Sequence, residues 1–211
     1  MSTKDIFLNM AMLTVWIPVC MAIIHRKNLN RILILLAWFL SFSFLFDVKH
    51  FFLFLTPYRA HFYVSFGLFQ LLFYIWFMWK LSSRAITIRY RTIVTISFIG
   101  LWFACYMPLI FGHDVLWQRS IFNVTQAMFL ALMSAYALLE LTKKELPLFH
   151  HPHFWFLLGI FLYFFMNIFL YAFMHAAFRD KIWPLHSIFD IIKNLLFAVG
   201  FFVAARHPNK K

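Results

Sequence analysis

The sequence predicts an all-α, polytopic integral membrane protein: one transmembrane domain over residues 1–211, a seven-transmembrane-helix bundle with its N-terminus outside and its C-terminus in the cytoplasm. Three observations predict it. Hydrophobic residues make up 64% of the chain, charged residues 12%, and the mean hydropathy is +0.80, whereas a soluble domain has roughly 45–50% apolar and about 25% charged residues. The apolar residues gather into seven runs, each close to the roughly 20 residues that cross about 30 Å of hydrocarbon at about 1.5 Å per residue. The basic residues punctuate these runs and favour one side.

The first run, 6–25, follows Lys4 and Asp5 and is not followed by an A-x-A-like cleavage site, so it reads as a retained helix rather than a cleaved leader. Ile17-Pro18-Val19-Cys20 fits a lipoprotein box poorly. Pro18 lies within this run, where a kink is tolerated if neighbouring helices satisfy the freed carbonyl. The second run, 32–54, carries Asp47 and His50 near its outer end, and the third, 60–80, opens on His61 and contains Gln70. The fourth, 92–111, contains Pro108, and the fifth, 120–141, contains Asn123 and Gln126. The sixth, 154–177, contains Asn167; the seventh, 182–205, has Pro184 in its first turn, where proline costs least. Short polar or proline-containing connectors separate the runs, and none is long enough for a soluble domain.

With the N-terminus outside, the cytoplasmic side receives Arg26, Lys27, Arg31, Lys80, Arg84, Arg89, Arg91, Lys143, Lys144, Arg206, Lys210 and Lys211. The outer side receives Lys4, Lys49, Arg59, Arg119, Arg179 and Lys181, and Lys193 lies within a span, completing the 19 basic residues. That is 12 against 6 in short loops, the setting in which basic residues decide orientation. The formal charge of +12 therefore reads as topology, and no nucleic-acid partner is expected, since that needs basic residues gathered on one soluble face. Trp79, Trp117, Trp155 and Trp183 fall where an interfacial belt would place them. Cys20 and Cys105 both lie in apolar runs, which argues against a disulfide framework. Five glycines are too few for small-residue packing to dominate the helix contacts.

An ionisable side chain in a span should face other helices or water. On the last helix His186, Asp190, Lys193, Asn194 and Phe197 are spaced three or four apart and share one face. That face is expected to point into the bundle. It forms either the wall of a polar cavity open to the outer side or a self-neutralising Asp190–Lys193 pair with Asn194 as an interhelical hydrogen-bonding group. Asp47, His50 and His61 belong at the same outer level as His186, and His113, Asp114 and His175 on the same side. Such groups could hold a divalent metal or respond to pH, but no pair has diagnostic ligand spacing. Gln70, Asn123, Gln126 and Asn167 lie deeper, as packing groups or as further cavity lining. His150-His151-Pro152-His153 reads as an interfacial loop, because no nearby Cys or carboxylate completes a metal site.

Phosphate-cradling Gly-rich loops, G-x-S-x-G, H-E-x-x-H and C-x-x-C are absent. No cofactor is expected, and an enzyme would have only the histidines to work with. The stretch Trp183-Pro-Leu-His-Ser-Ile-Phe-Asp-Ile-Ile-Lys-Asn-Leu-Leu-Phe-Ala-Val-Gly-Phe resembles the last helix of a group of uncharacterised seven-helix membrane proteins of Bacteroidota. Phe154-Trp155 through Asn167 and Leu68 through Leu81 extend the resemblance over most of the chain. Such proteins occur alone or fused to histidine-kinase-type signalling modules. The group favours Asn where Asp190 stands and an acid near Gln70, so this chain departs from it at both places. The resemblance implies a sensory role in the bacterial cytoplasmic membrane, with the lipid bilayer, a cytoplasmic signalling protein and a second copy of the chain as partners. A small-solute or ion transporter, or a pore-forming effector subunit, is the alternative, and it needs a continuous polar path.

Overall fold

The computed structural model describes residues 3–52, 59–81, 88–111, 116–143, 147–172 and 179–206; within these, the side chains at 3–5, 47–52, 59–64, 88–91, 109–110, 116–119 and 179–183 are outside the description. Every regular element among the described residues is helical. In chain order they are α1 (Thr3–Thr14), α2 (Trp16–Ile24), α3 (Arg31–Phe52), α4 (Arg59–Leu81), α5 (Ile88–Ile110), α6 (Leu116–Thr142), α7 (Pro152–Ala172) and α8 (Arg179–Arg206). Four stretches are long and apolar enough to cross a membrane: Ile6–Ile24, Ser120–Thr142, Pro152–Ala172 and Pro184–Arg206. The described apolar parts of α3, α4 and α5 are shorter, Arg31–Phe46, Ser65–Leu81 and Thr92–Pro108. Their full backbones run 22, 23 and 23 residues.

The first predicted helix is one apolar rod broken at Val15. Pro18 has no N–H to give the carbonyl of Thr14, four residues earlier, so the ladder is interrupted there. The Thr14 hydroxyl donates to the Ala11 carbonyl at 2.7 Å. After α2 a 3-10 turn, Arg26–Asn28, leads to Asn30, whose side-chain oxygen accepts from the Leu33 N–H at 2.9 Å and starts α3. The Asn28 amide donates across to the carbonyl of Ala205 near the end of α8, at 3.4 Å. Pro184 is not in the first turn of the last helix as expected. α8 begins at Arg179, so Pro184 lies inside it and deprives only the Asp180 carbonyl, still in the opening turn.

The helices close on themselves: α1 and α2 pack on α8 and α3, α8 on α7, α7 on α6, and α6 on α5 and α4. α4 occupies the middle. Leu71, Tyr74, Ile75, Phe77 and Met78 of this helix are all fully buried, and Tyr74 and Phe77 meet Phe164 and Phe156 of α7 edge-on at centroid distances of 5.4 and 6.2 Å. Aromatic pairs also join α3 to α4 (Phe39 stacked on Phe73 at 3.8 Å) and α5 to α6 (Phe98 with Phe129 at 4.7 Å). Each such pair contributes about 0.5–1.5 kcal/mol beyond its buried area.

The α7–α8 contact is built differently. A Cβ on Gly159 of α7 would stand 2.9 Å from the Phe197 ring of α8, and a Cβ on Gly200 of α8 would stand 2.8 Å from the Phe156 ring of α7. Each glycine is the hollow that receives the other helix's phenylalanine. Glycines are few, yet two of them set this interface. Gly200→Ala is expected to force the Phe156 ring aside and destabilise the fold by about 1–3 kcal/mol; adding Phe156→Leu should recover part of that loss. Melting temperatures of the purified variants in detergent check both, and a Gly200→Ala protein as stable as the parent would remove the interlock.

Candidate functional site

The shared face of α8 turns inward. Lys193 and Asn194 are buried, with Phe197 fully buried a turn further on. Lys193 forms an ion pair with Asp190, three residues before it on the same helix. The two partners are unequally enclosed: 8% of the lysine side chain is exposed against 24% for the carboxylate. The ammonium also lies over the ring of Tyr163 on α7, 4.2 Å from its centroid, an attraction that strengthens where water is excluded.

One turn toward the start of α8, His186 Nδ1 donates to Asn167 Oδ1 of α7 at 2.8 Å. The carboxamide oxygen can only accept, so the ring proton sits on Nδ1. Tyr163 connects the two levels, with its ring centroid 5.7 Å from that of His186. From α4, Tyr74 shares a hydrogen bond with Gln70 and lies within electrostatic reach of both Asp190 and Lys193. This fixes Asp190 on the bundle side of α8. Toward α1, Asn194 Nδ2 donates to the Thr14 hydroxyl at 3.1 Å, tying α8 to the break between α1 and α2. Four segments of chain thus meet around one ion pair.

Two polar atoms in this group are left over. Asn167 is 1% exposed and Asn194 is fully buried, and neither Asn167 Nδ2 nor Asn194 Oδ1 has a hydrogen-bond partner. A buried polar atom left unpaired costs about 1–3 kcal/mol. One is a donor and the other an acceptor, and they flank the ion pair on either side along α8.

Of the residues singled out by sequence, His186, Asp190, Lys193, Asn194, Asn167 and Gln70 come together. Gln126 is buried on α6 and, among the described contacts, is not joined to them. The side chains of Asp47, His50 and His61 lie outside the described residues, as do His113, Asp114 and His175. Among the described residues no three His, Cys, Asp or Glu side chains converge on a metal position. His151 and His153 face each other edge-on at 4.9 Å, and Trp155 donates its indole N–H to the Phe149 carbonyl at 3.0 Å. Thr14, Tyr74 and Tyr163 were missed. The tyrosines had a signal: Tyr74 is four residues from Gln70 and Tyr163 four from Asn167, the spacing that puts two side chains on one helix face.

Comparisons with protein-family profiles, with curated proteins and with solved structures give no match.

Replacing Asp190 with Asn leaves Lys193 buried without its counter-ion. A loss near the lower end of the about 3–5 kcal/mol typical of broken buried pairs is expected, because the carboxylate is partly open. The Asp190→Asn, Lys193→Met double variant removes both charges and should regain most of it. Unfolding monitored in detergent checks this; a double variant no better than the single one would show that the pair does not balance itself.

Proposed function

We propose that this chain crosses the bacterial cytoplasmic membrane seven times, N-terminus outside, and acts as a sensory module whose α8 polar cluster opens to the outer side and reports to a separate cytoplasmic protein. The observation that supports it is an inverted distribution of polarity. The interior holds an ion pair, an imidazole and two asparagines, while the exterior presents large apolar side chains: Leu35, Trp38, Phe42 and Leu45 on α3, and Met128, Leu132 and Leu139 on α6. Trp38 and Leu132 are each 68% exposed. In water, so large an apolar exterior would drive aggregation, and in a bilayer it is the solvated surface.

The polar groups occupy only part of the depth. Past Lys193 and Asn194, the α7–α8 core is filled by Phe156, Phe197 and Phe201, with Phe77 of α4 against them, and all four are fully buried. A conducting path would need polar groups through that layer. A one-sided polar cluster over a packed aromatic floor suits a receptor better than a pore, because a change at the cluster reaches the far side only through displacement of α7 and α8. The bias of basic residues toward the ends reached by α2, α4 and α8 supports placing that far side in the cytoplasm.

Two labelling results are expected in intact cells carrying a variant without Cys20 and Cys105. Cysteine at Asp180 should react with an impermeant thiol reagent while cysteine at Lys144 is protected; the reverse pattern would overturn the orientation. Cysteine at His186 should react with a small charged methanethiosulfonate from outside, and its protection would close the site to the outer side. In proteoliposomes the parent protein should pass neither acetate nor chloride, and measurable flux would replace the sensory reading with transport.

A further inference from the structure

A site that is already neutral limits what it can take up. The Asp190–Lys193 pair carries no net charge, and it sits in surroundings of low polarity among Tyr74, Tyr163 and Phe164. An anion entering alone would leave an uncompensated negative charge there, and a cation alone a positive one; both are strongly disfavoured. Neutrality survives if an anion arrives with a proton: the proton goes to the Asp190 carboxylate, and the anion takes its place beside the Lys193 ammonium.

The leftover atoms fit that exchange. Asp190 and Asn194 are four residues apart on one helix face, so a protonated Asp190 has Asn194 Oδ1, buried and without a partner, as acceptor for its new O–H. Asn167 Nδ2, also buried and without a partner, is a donor at the level of His186, on the outer side of Lys193. There it can donate to an anion held by the ammonium. In the structure as it stands, both atoms are unsatisfied; in the exchanged state both are bonded.

We infer that the α8 cluster binds a small monovalent anion together with one proton, the anion between Lys193 and Asn167 and the proton on Asp190. This rests on the reading of the cluster as a site open to the outer side. The balance is simple: one proton is taken from solution, one ion pair is exchanged for another, and no covalent bond between heavy atoms changes. The groups facing Asp190 are Lys193 and His186 from α8, Tyr163 from α7 and Tyr74 from α4. α1 presents no titratable group among its described side chains, and α2 presents only Cys20, which is exposed.

The test is titration of the purified protein in detergent with sodium acetate and with sodium chloride, at constant ionic strength and at several pH values, by calorimetry in two buffers of different ionisation enthalpy. Binding of at least one of these anions should tighten about tenfold for each unit of pH lowered while Asp190 is ionised in the free protein, with about one proton taken up per anion. Asp190→Asn, which keeps a donor toward Asn194, should bind without pH dependence or proton uptake. Asp190→Asn, Lys193→Met should fold and not bind, and His186→Gln should keep the pH dependence. The inference is overturned if neither anion binds, if binding proceeds without proton uptake, if sodium binds with proton release instead, or if the pH dependence follows His186 rather than Asp190. Reactive cysteine at His186 together with any of these results removes the inference and leaves the outer site standing; protected cysteine there removes both.

Discussion

The contact between α7 and α8 organises the molecule. Phe156 of α7 seats against Gly200 of α8, and Phe197 of α8 seats against Gly159 of α7, so the two backbones come together only where a side chain has been given up. Aliphatic residues at either glycine would push the helices apart, and the register of one helix against the other would be lost with the separation. That register places Asn167 opposite His186 and Tyr163 opposite Lys193. The polar cluster depends on an apolar interlock lying below it.

Electrostatics and packing divide the depth of the bundle between them. At the level of Asp190 and Lys193 three other helices contribute a polar or aromatic group: Tyr74 from α4, Tyr163 from α7, and Thr14 from α1 by way of Asn194. Below that level the central contacts are ring against ring. Aromatic rings are stiff and fill space without flexing, so this layer has little slack with which to absorb a change in the charged groups beside it. The Asn28–Ala205 hydrogen bond then brings the first connection into register with the end of α8.

Much of this was legible in the sequence, because the apolar runs are long and are set apart by short polar or proline-containing connectors. Each predicted helix appears where it is expected, the first as the pair α1 and α2, and the expected ends at 54 and 177 lie outside the described residues. The α8 face was legible because three- and four-residue spacing on a single helix needs no knowledge of its neighbours. Its partners were not: nothing in one sequence states that Asn167 faces His186, since that depends on the relative height of two helices. Gly159 and Gly200 were passed over because glycine was weighed by abundance, whereas its effect here comes from which ring stands opposite. Tyr74 and Tyr163 were hidden among 31 phenylalanines and a chain that is 22% aromatic. The kink that Pro18 allows takes the form of a break at Thr14–Val15, because the missing bond belongs to the carbonyl four residues earlier.

The bond between Asn194 and Thr14 links residues 180 positions apart, which bears on the order in which the molecule can be made. α1 leaves the ribosome before α8, and its polar contact waits on α8. Until α8 has been synthesised, the Thr14 hydroxyl keeps its bond to the Ala11 carbonyl of its own helix but lacks the one from Asn194, and α1 and α2 lack the helix they pack against most. Closure is therefore a late, non-local event that carries a long-loop entropy cost. A chain interrupted before α8 lacks the ion pair and also the hydrogen bond by which α8 holds α1 in place, so the two ends of the bundle are secured in a single step.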